Sequence, residues 1–357
     1  MTNIDIKLCD KRKPVPASDK LGFGVHFSDH MLVMDYNLDK GWHGTRIEPY
    51  GPISIDPSMM ALHYGQAIFE GMKAFRSADG NINLFRARDH FRRFNNSARR
   101  VCIPELDIEE LFAGLQKLLE VEHEWVPSTH GTALYIRPFI FATDQFLGVR
   151  PSHTYKLMII LSPVGAYYAE GFNPVKIMVE DHYVRAVRGG IGAIKTPGNY
   201  AASLLAAVKA QKQGFTQVLW LDAHELKWLE EVGTMNIMVK IGDEVITPPL
   251  NGSILPGITR DSTIAILKNW GIPIVEKQIS VDEVMQAGAD GSLQEMFGTG
   301  TAAVISPVGS IHYKEREVLI NNGNVGTLSQ KLFDEITAIQ YGSKNDLNNW
   351  IDTIEVS

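Results

Sequence analysis

Segments of strand character come in runs along this chain. Helices interrupt them without the strict strand–helix alternation that a doubly wound parallel sheet requires. That order predicts an α+β fold. "HFSDHMLVMDY" and "GPISIDPSM" open as β-like runs, and "GTALYIRPFIFAT" and "TYKLMIILSPV" follow as strands by their β-branched and aromatic content. In "RDHFRRFNNSARRV", Phe91, Phe94, Ala98 and Val101 fall on one helical face, with Asp89 as N-cap and Arg93 beside the apolar stripe. "IEELFAGLQKLLEVE" reads as a second amphipathic helix. "YAASLLAAVKAQKQG" predicts one alanine-rich helix stopped by Gly214, and "PGITRDSTIAILKNWG" a helix capped by Thr259 and stopped by Gly271. Gly171, Asn173 and Pro174 mark a break. The expected division is a small N-terminal α+β domain at 1–168, an interdomain linker region at 169–182 and a large C-terminal domain at 183–357.

Chemistry concentrates in "GGIGAIKTPGNY", residues 189–200, where four glycines and a proline surround Lys195. Either the turn cradles a phosphate that Lys195 pairs with, or the lysine itself reacts. A phosphate-binding P-loop needs glycine directly before the lysine and a helix at once after it. Here Ile194 precedes, and Pro197-Gly198 is expected to delay the helix. "GTGTAA", residues 298–303, formally matches a dinucleotide fingerprint, but the β-branched "VISPVGSI" follows it where a helix is required. His26 and His30 have the spacing of a helical metal pair, but lie in an extended segment with no carboxylate or cysteine cluster and read as structural. No Gly-x-Ser-x-Gly elbow supports serine hydrolysis. Glu230 and Glu231 precede Val-Gly-Thr beside an apolar strand; they read either as an exposed strand end or as buried carboxylates needing a cation or an N–H partner.

Composition narrows the partners. The 357 residues carry 34 basic and 41 acidic side chains, a formal charge of -7, which disfavours nucleic acid or an anionic membrane. Cys9 and Cys102 are the only cysteines, so no disulfide framework or cysteine-based zinc site is expected. The charged N-terminus lacks the apolar core of a secretory signal, and the expected compartment is the cytoplasm.

Taken together, a lysine in a glycine turn, an arginine beside a helix stripe, a carboxylate beside Gly-Thr and a helix start at "PGITR" form the inventory for a small phosphorylated aromatic cofactor. In that inventory Arg93 offers phosphate a bidentate charge-assisted pair, and Thr259 or Thr301 a hydroxyl. "HYGQAIFEGMKAFR", "HFRRFNNSARR", "LYIRP", "PVGAYY", "KTPGNYAAS", "EVGTMN", "ILPGITR" and "FGTGTAAVISPV" occur in this order over residues 20–340. In these motifs the chain resembles the branched-chain amino acid aminotransferases, pyridoxal-phosphate enzymes of fold-type IV.

The resemblance implies a two-domain fold-type IV architecture, with pyridoxal 5'-phosphate joined to Lys195. It implies Tyr200 near the cofactor's ring oxygen, Glu231 facing the pyridine nitrogen, and phosphate held by Arg93, the N–H groups of Ile258 and Thr259, and Thr301. Thr234 and Ala302 would hold the substrate's α-carboxylate. Phe23, Tyr64, Phe69, Tyr135 and Tyr167 would wall the side-chain pocket, and Arg137 would help place the γ-carboxylate of glutamate. Val149 corresponds to a residue contributed across a homodimer. The implied activity is ping-pong transamination of L-leucine, L-isoleucine and L-valine with 2-oxoglutarate, Lys195 moving the proton. The implied partners are amino acids and 2-oxo acids. Some eukaryotic members carry Cys-x-x-Cys where this chain has Ala303 and Ser306, so a thiol switch there is not expected. The rivals are a D-amino acid aminotransferase or aminodeoxychorismate lyase of the same fold, a nucleotide-dependent oxidoreductase built on "GTGTAA", and a non-catalytic homologue that only binds ligand, against which the intact Lys195 and Glu231 argue.

Overall fold

The computed structural model describes residues 4–165 and 172–356. It divides into two compact units, each with its own sheet. The first holds the chain through β8, the short piece Lys195–Pro197, and everything from Ala338 onward. Its strands are β1 (Asp5–Ile6), β2 (His30–Asn37), β3 (Gly41–Pro49), β4 (Ala67–Phe69), β5 (Met72–Arg76), β6 (Ile82–Phe85), β7 (Ala133–Ala142) and β8 (Tyr155–Val164). Its helices are α1 (Met60–Tyr64), α2 (Ala87–Arg100) and α3 (Ile108–Val121). The sheet order is β1-β3-β2-β8-β7-β5-β6, with β4 paired to β7, and all pairs but β1–β3 are antiparallel.

The core of this unit follows from the helical period. Phe91, Phe94 and Ala98 of α2 and Leu111, Leu115 and Leu118 of α3 are buried in one cluster with Leu32, Leu84 and Leu157 of the sheet. Each such side chain contributes roughly 1.5–3 kcal/mol by leaving water. Asp107 caps α3 by accepting the N–H of Glu110 at 2.9 Å. Asp89 does not cap α2: the N-cap is Arg86, at φ 55, and Asp89 lies inside the first turn, where it accepts from Arg86 Nε at 2.6 Å. "GPISIDPSM" forms no strand. Two prolines interrupt it, and Ser58 N and Oγ close a turn on Asp56 at 2.8 and 2.6 Å.

The second unit contains β9 (Val175–Glu180), α4 (Pro197–Ala201), α5 (Leu204–Lys212), β10 (Gln217–Leu221), β11 (Leu229–Val232), β12 (Met235–Ile241) and β13 (Glu244–Thr247). It continues with α6 (Ile258–Asn269), β14 (Ile274–Glu276), α7 (Val281–Asp290), β15 (Leu293–Gly300), β16 (Val304–Tyr313), β17 (Arg316–Leu319) and α8 (Thr327–Gln340), whose last residues are grouped with the first unit. The strand order is β11-β10-β9-β16-β15-β12-β13-β14, with β17 on β16. Ile177, Leu219, Ile237, Val239 and Ile311 of the sheet share a core with Val281, Val284 and Met285 of α7.

Several expectations change here. Residues 175–180, which read as a strand in "VKIMVEDHYVR" though they fall inside the expected linker region, form β9 within the sheet. The final strand β18 (Ile351–Ile354) pairs antiparallel with β6, so the end of the chain belongs to the first sheet and not to a domain running from 183 to 357. Pro197 begins α4 two residues after Lys195, its fixed φ suiting the first helical position. The single helix expected over 200–214 is two. Ser203 Oγ donates to the Tyr200 carbonyl at 2.7 Å and competes with the helical ladder at the break. The N-cap of α6 is Gly257, and Thr259 is the second helical residue. In α7, which sequence reading passed over, Ser280 and Glu283 form a reciprocal capping box. "GTGTAA" turns the β15–β16 hairpin, with Gly300 opposite Val304, so no helix opens on it.

Candidate active site

Strand β4 and helix α2 grip the Lys195 peptide from two sides. Phe69 N–H donates to the Lys195 carbonyl at 3.0 Å, and Thr196 Oγ1 donates to the Ala67 carbonyl at 2.8 Å. Lys195 N–H donates to Ser97 Oγ at 3.1 Å, and that hydroxyl donates to the Arg93 carbonyl at 3.1 Å. The side chain is thereby launched from a fixed point, and its Nζ lies 5.0 Å from the centre of the Phe69 ring. The Arg137 guanidinium lies 4.8 Å from the same ring and donates from Nη2 to Tyr135 Oη at 3.1 Å. Phe23 meets Tyr135 edge-on at 5.1 Å. Gly71 makes this possible: a Cβ there would lie 1.9 Å from the Tyr135 hydroxyl. Burial, then Arg93, lower the Lys195 pKa; Glu70 and Tyr135 oppose the shift, and Arg137 adds to it.

Glu70 was not singled out in the sequence, and it is the centre of charge in this region. It is fully buried and accepts from Arg93 Nε at 2.7 Å, Arg93 Nη2 at 2.8 Å, His90 Nδ1 at 3.0 Å and its neighbour Gly71 N at 3.0 Å. Burial by itself would raise this carboxyl; Arg93 and then His90 hold it well below the usual carboxylate range. Burial lowers His90, which favours the neutral imidazole. The bidentate edge of Arg93, expected to face phosphate, is thus paired with Glu70. Tyr64 ends α1, 42% exposed, with its hydroxyl on the Leu147 carbonyl, and Val149 is 85% exposed. Tyr167 lies outside the described residues. His30 is structural: Nδ1 meets Glu122 Oε1 at 2.5 Å, and Nε2 accepts Cys9 N–H at 2.8 Å.

In the second unit, Glu231 is buried at the β11 end of the β11–β12 hairpin. Its Oε1 accepts Leu255 N–H at 2.9 Å and Asn236 Nδ2 at 3.3 Å; its Oε2 lies 3.1 Å from Arg185 Nε. The buried-carboxylate reading of Glu230 and Glu231 therefore holds over an exposed strand end. Glu230 is also buried, which raises its pKa, and it accepts from Ser253 Oγ. A small cleft is lined by Tyr200, Glu231, Thr234, Arg185, Asn199 and Leu255, among others. It thus gathers three of the expected site residues. Ile258 and Thr259 begin α6 and lie at the positive end of its dipole. Gly257 before them cannot carry a side chain, since a Cβ would lie 2.0 Å from Asn236 Oδ1. Thr301 and Ala302 are half-buried in the β15–β16 turn.

Each unit, taken by itself, holds donors suited to part of a phosphorylated pyridine aldehyde. In the first unit a lysine of lowered pKa can bond an aldehyde; in the second a buried carboxylate suits a ring N–H and a helix N-terminus suits phosphate. Arg185, Asn236, Glu70 and His90 join the functional set only through their contacts. Among the described residues no group of three or more His, Cys, Asp or Glu could hold a metal ion, and no helix is long and apolar enough to cross a membrane.

Comparison with known proteins gives a consistent picture. The family model described as amino-transferase class IV matches residues 67–311. The chain is 54% identical, over 99% of its own length and 97% of the relative's, to branched-chain-amino-acid aminotransferase 2 of Bacillus subtilis (strain 168). Among solved structures it resembles the branched-chain amino acid aminotransferase of Escherichia coli, with 28% identity, a TM-score of 0.77 and coverage of 92% of this chain and 99% of that one. It also resembles the T.th. branched-chain amino acid aminotransferase solved with pyridoxamine 5'-phosphate, with 25% identity, a TM-score of 0.75 and coverage of 91% and 98%.

Proposed function

The chain belongs to the class IV aminotransferases, among the branched-chain amino acid aminotransferases, and from that membership we propose that it moves the amino group of L-leucine, L-isoleucine and L-valine to 2-oxoglutarate by a ping-pong sequence. The observation that carries the reading is the Lys195 amino group, held over Phe69 with its pKa lowered, beside Tyr135 and Arg137.

The cofactor of this family, pyridoxal 5'-phosphate, supplies an aldehyde carbon and an electron-withdrawing ring. Everything else is done by this chain's residues. Lys195 would hold that carbon through its Nζ, and its neutral amine would take up the proton from the substrate's Cα. An ammonium could not accept that proton, so the lowering by burial and Arg93 serves the reaction. Glu231 keeps the ring nitrogen protonated, its own charge steadied by Arg185 and the Leu255 N–H. Tyr200 binds the ring oxygen. Arg93, the N–H groups of Ile258 and Thr259, and Thr301 take the phosphate, while Thr234 and Ala302 take the α-carboxylate. Phe23, Tyr64, Phe69 and Tyr135 wall the side-chain pocket and exclude water. Arg137 with the Tyr135 hydroxyl meets the γ-carboxylate when glutamate or 2-oxoglutarate occupies it. The working form in this reading is a homodimer in the cytoplasm, with Val149, strongly exposed, offered to the second copy of the chain.

The test is an assay of the purified protein with L-leucine and D-alanine as alternative donors to 2-oxoglutarate. Turnover of L-leucine with bleaching of a visible cofactor band is expected. Turnover of D-alanine alone would replace this reading with that of a D-amino acid aminotransferase.

A further inference from the structure

Glu70 is a carboxylate that the proposed chemistry does not use. It is 0% exposed, it immediately follows the residue whose N–H holds the Lys195 carbonyl, and three neighbours supply it with four hydrogen bonds. Two of those bonds come from the one arginine expected to bind phosphate. Burying an ionised carboxylate costs several kcal/mol unless charge and hydrogen bonds compensate it. A surface position would avoid that cost, so the placement calls for a reason.

The geometry gives one. A guanidinium is planar and carries five N–H groups. When Nε and Nη2 both bond one carboxylate, rotation about the Cδ–Nε bond is fixed, and the Nη1 end is held pointing away from Glu70. His90, on the turn of α2 before Arg93, donates to the Glu70 oxygen that also meets Nη2, and so fixes the carboxylate in turn. The pair also braces β4 against α2, the two elements that grip the Lys195 peptide.

We propose that Glu70, steadied by His90, is a positioning residue that presents Arg93 to the cofactor's phosphate. The inference rests on the reading of Arg93 as a phosphate ligand. Glu70 touches neither substrate nor cofactor in this account. It acts by holding one cation at a set angle and by balancing its charge next to Lys195.

The experiment separates the phosphate from the ring. The full-length protein, freed of cofactor, is titrated with pyridoxal 5'-phosphate and, separately, with pyridoxal, which lacks the phosphate. The series comprises the wild type, Glu70→Gln, Arg93→Met and the double variant. Glu70→Gln is expected to weaken pyridoxal 5'-phosphate binding roughly tenfold while pyridoxal binding changes by less than about twofold, and to cost nothing further in the Arg93→Met background. Equal weakening toward both ligands would mean a merely structural role and would overturn the proposal, as would effects of the two substitutions that add. If Arg93→Met leaves pyridoxal 5'-phosphate affinity unchanged, the phosphate role of Arg93 itself falls, and this inference with it. Should Glu70→Gln not fold alone, Glu70→Asp replaces it. That variant keeps the charge but draws the carboxylate back, and the same selective loss toward the phosphorylated ligand is required of it.

Discussion

Glu231 Oε2 lies 3.1 Å from Arg185 Nε, both side chains buried, while Oε1 accepts the Leu255 N–H at 2.9 Å. The carboxylate is held in position by partners 46 residues before it and 24 residues after it. Glu231→Gln keeps the shape and removes the charge. It is expected to lower kcat by roughly 10²-fold or more, as loss of a preorganised electrostatic partner does, with much less effect on cofactor retention. Parallel measurement of kcat and bound cofactor checks this; equal loss of both would count against an electronic role.

Removing the other partner has a different consequence. Arg185→Met leaves Glu231 buried without its cation and is expected to destabilise the protein by about 3 kcal/mol, read as a lower urea midpoint.

Lys195→Ala is expected to abolish transamination and the visible cofactor band together. The wild-type lysine also has a pH signature. Because its pKa lies below the ordinary lysine value of 10.5, capture of pyridoxal by cofactor-free protein should accelerate through a limb below that pH. Arg93 is the largest charge lowering that pKa, so Arg93→Met should move the limb upward. Glu70 opposes the shift, so Glu70→Gln should move it downward. The pH dependence of the capture rate measures all three.

Lys73, on β5 and buried, has its pKa pushed down by burial to about 8. Between that value and the unfolded 10.5, the unfolded chain holds a proton that the folded one has released, so stability should rise with pH across this window. Below it the penalty is present in full. Lys73→Met is therefore expected to lose the dependence of stability on pH between about 8 and 10.5. Denaturant melts at several pH values test both parts.

Gly71→Ala should disturb Tyr135, whose hydroxyl lies 1.9 Å from the added Cβ and whose Cζ lies 2.7 Å away. An increase in KM for 2-oxoglutarate and a stability loss of roughly 1–3 kcal/mol are expected. Tyr135→Phe in that background removes the nearest atom and should recover part of the stability.

What the sequence discloses depends on how local the physics is. Helix α2 is legible because Phe91, Phe94 and Ala98 repeat at the helical period, and α7 is legible in principle because Ser280 and Glu283 form a capping box within four residues. Lys195, Glu231 and the "PGITR" helix start stand out because glycine turns and isolated charges in apolar strands are unusual. Strand β18 is not legible, because the four residues "IDTI" carry no signal without β6, more than 260 residues earlier. Glu70 sits in an aromatic run where it reads as one polar position. Its meaning appears only when Arg93, 23 residues on, folds back onto it. The break between α4 and α5 is hidden for the opposite reason: a single serine hydroxyl outweighs an alanine-rich pattern.

The central claim is that the Lys195 amino group is the one that bonds the cofactor. The holoenzyme can be reduced with borohydride, digested and mapped by mass spectrometry. The account predicts a phosphopyridoxyl group on Lys195 and its absence when L-leucine is added before reduction. A modification on another lysine, or none on any lysine, would contradict it.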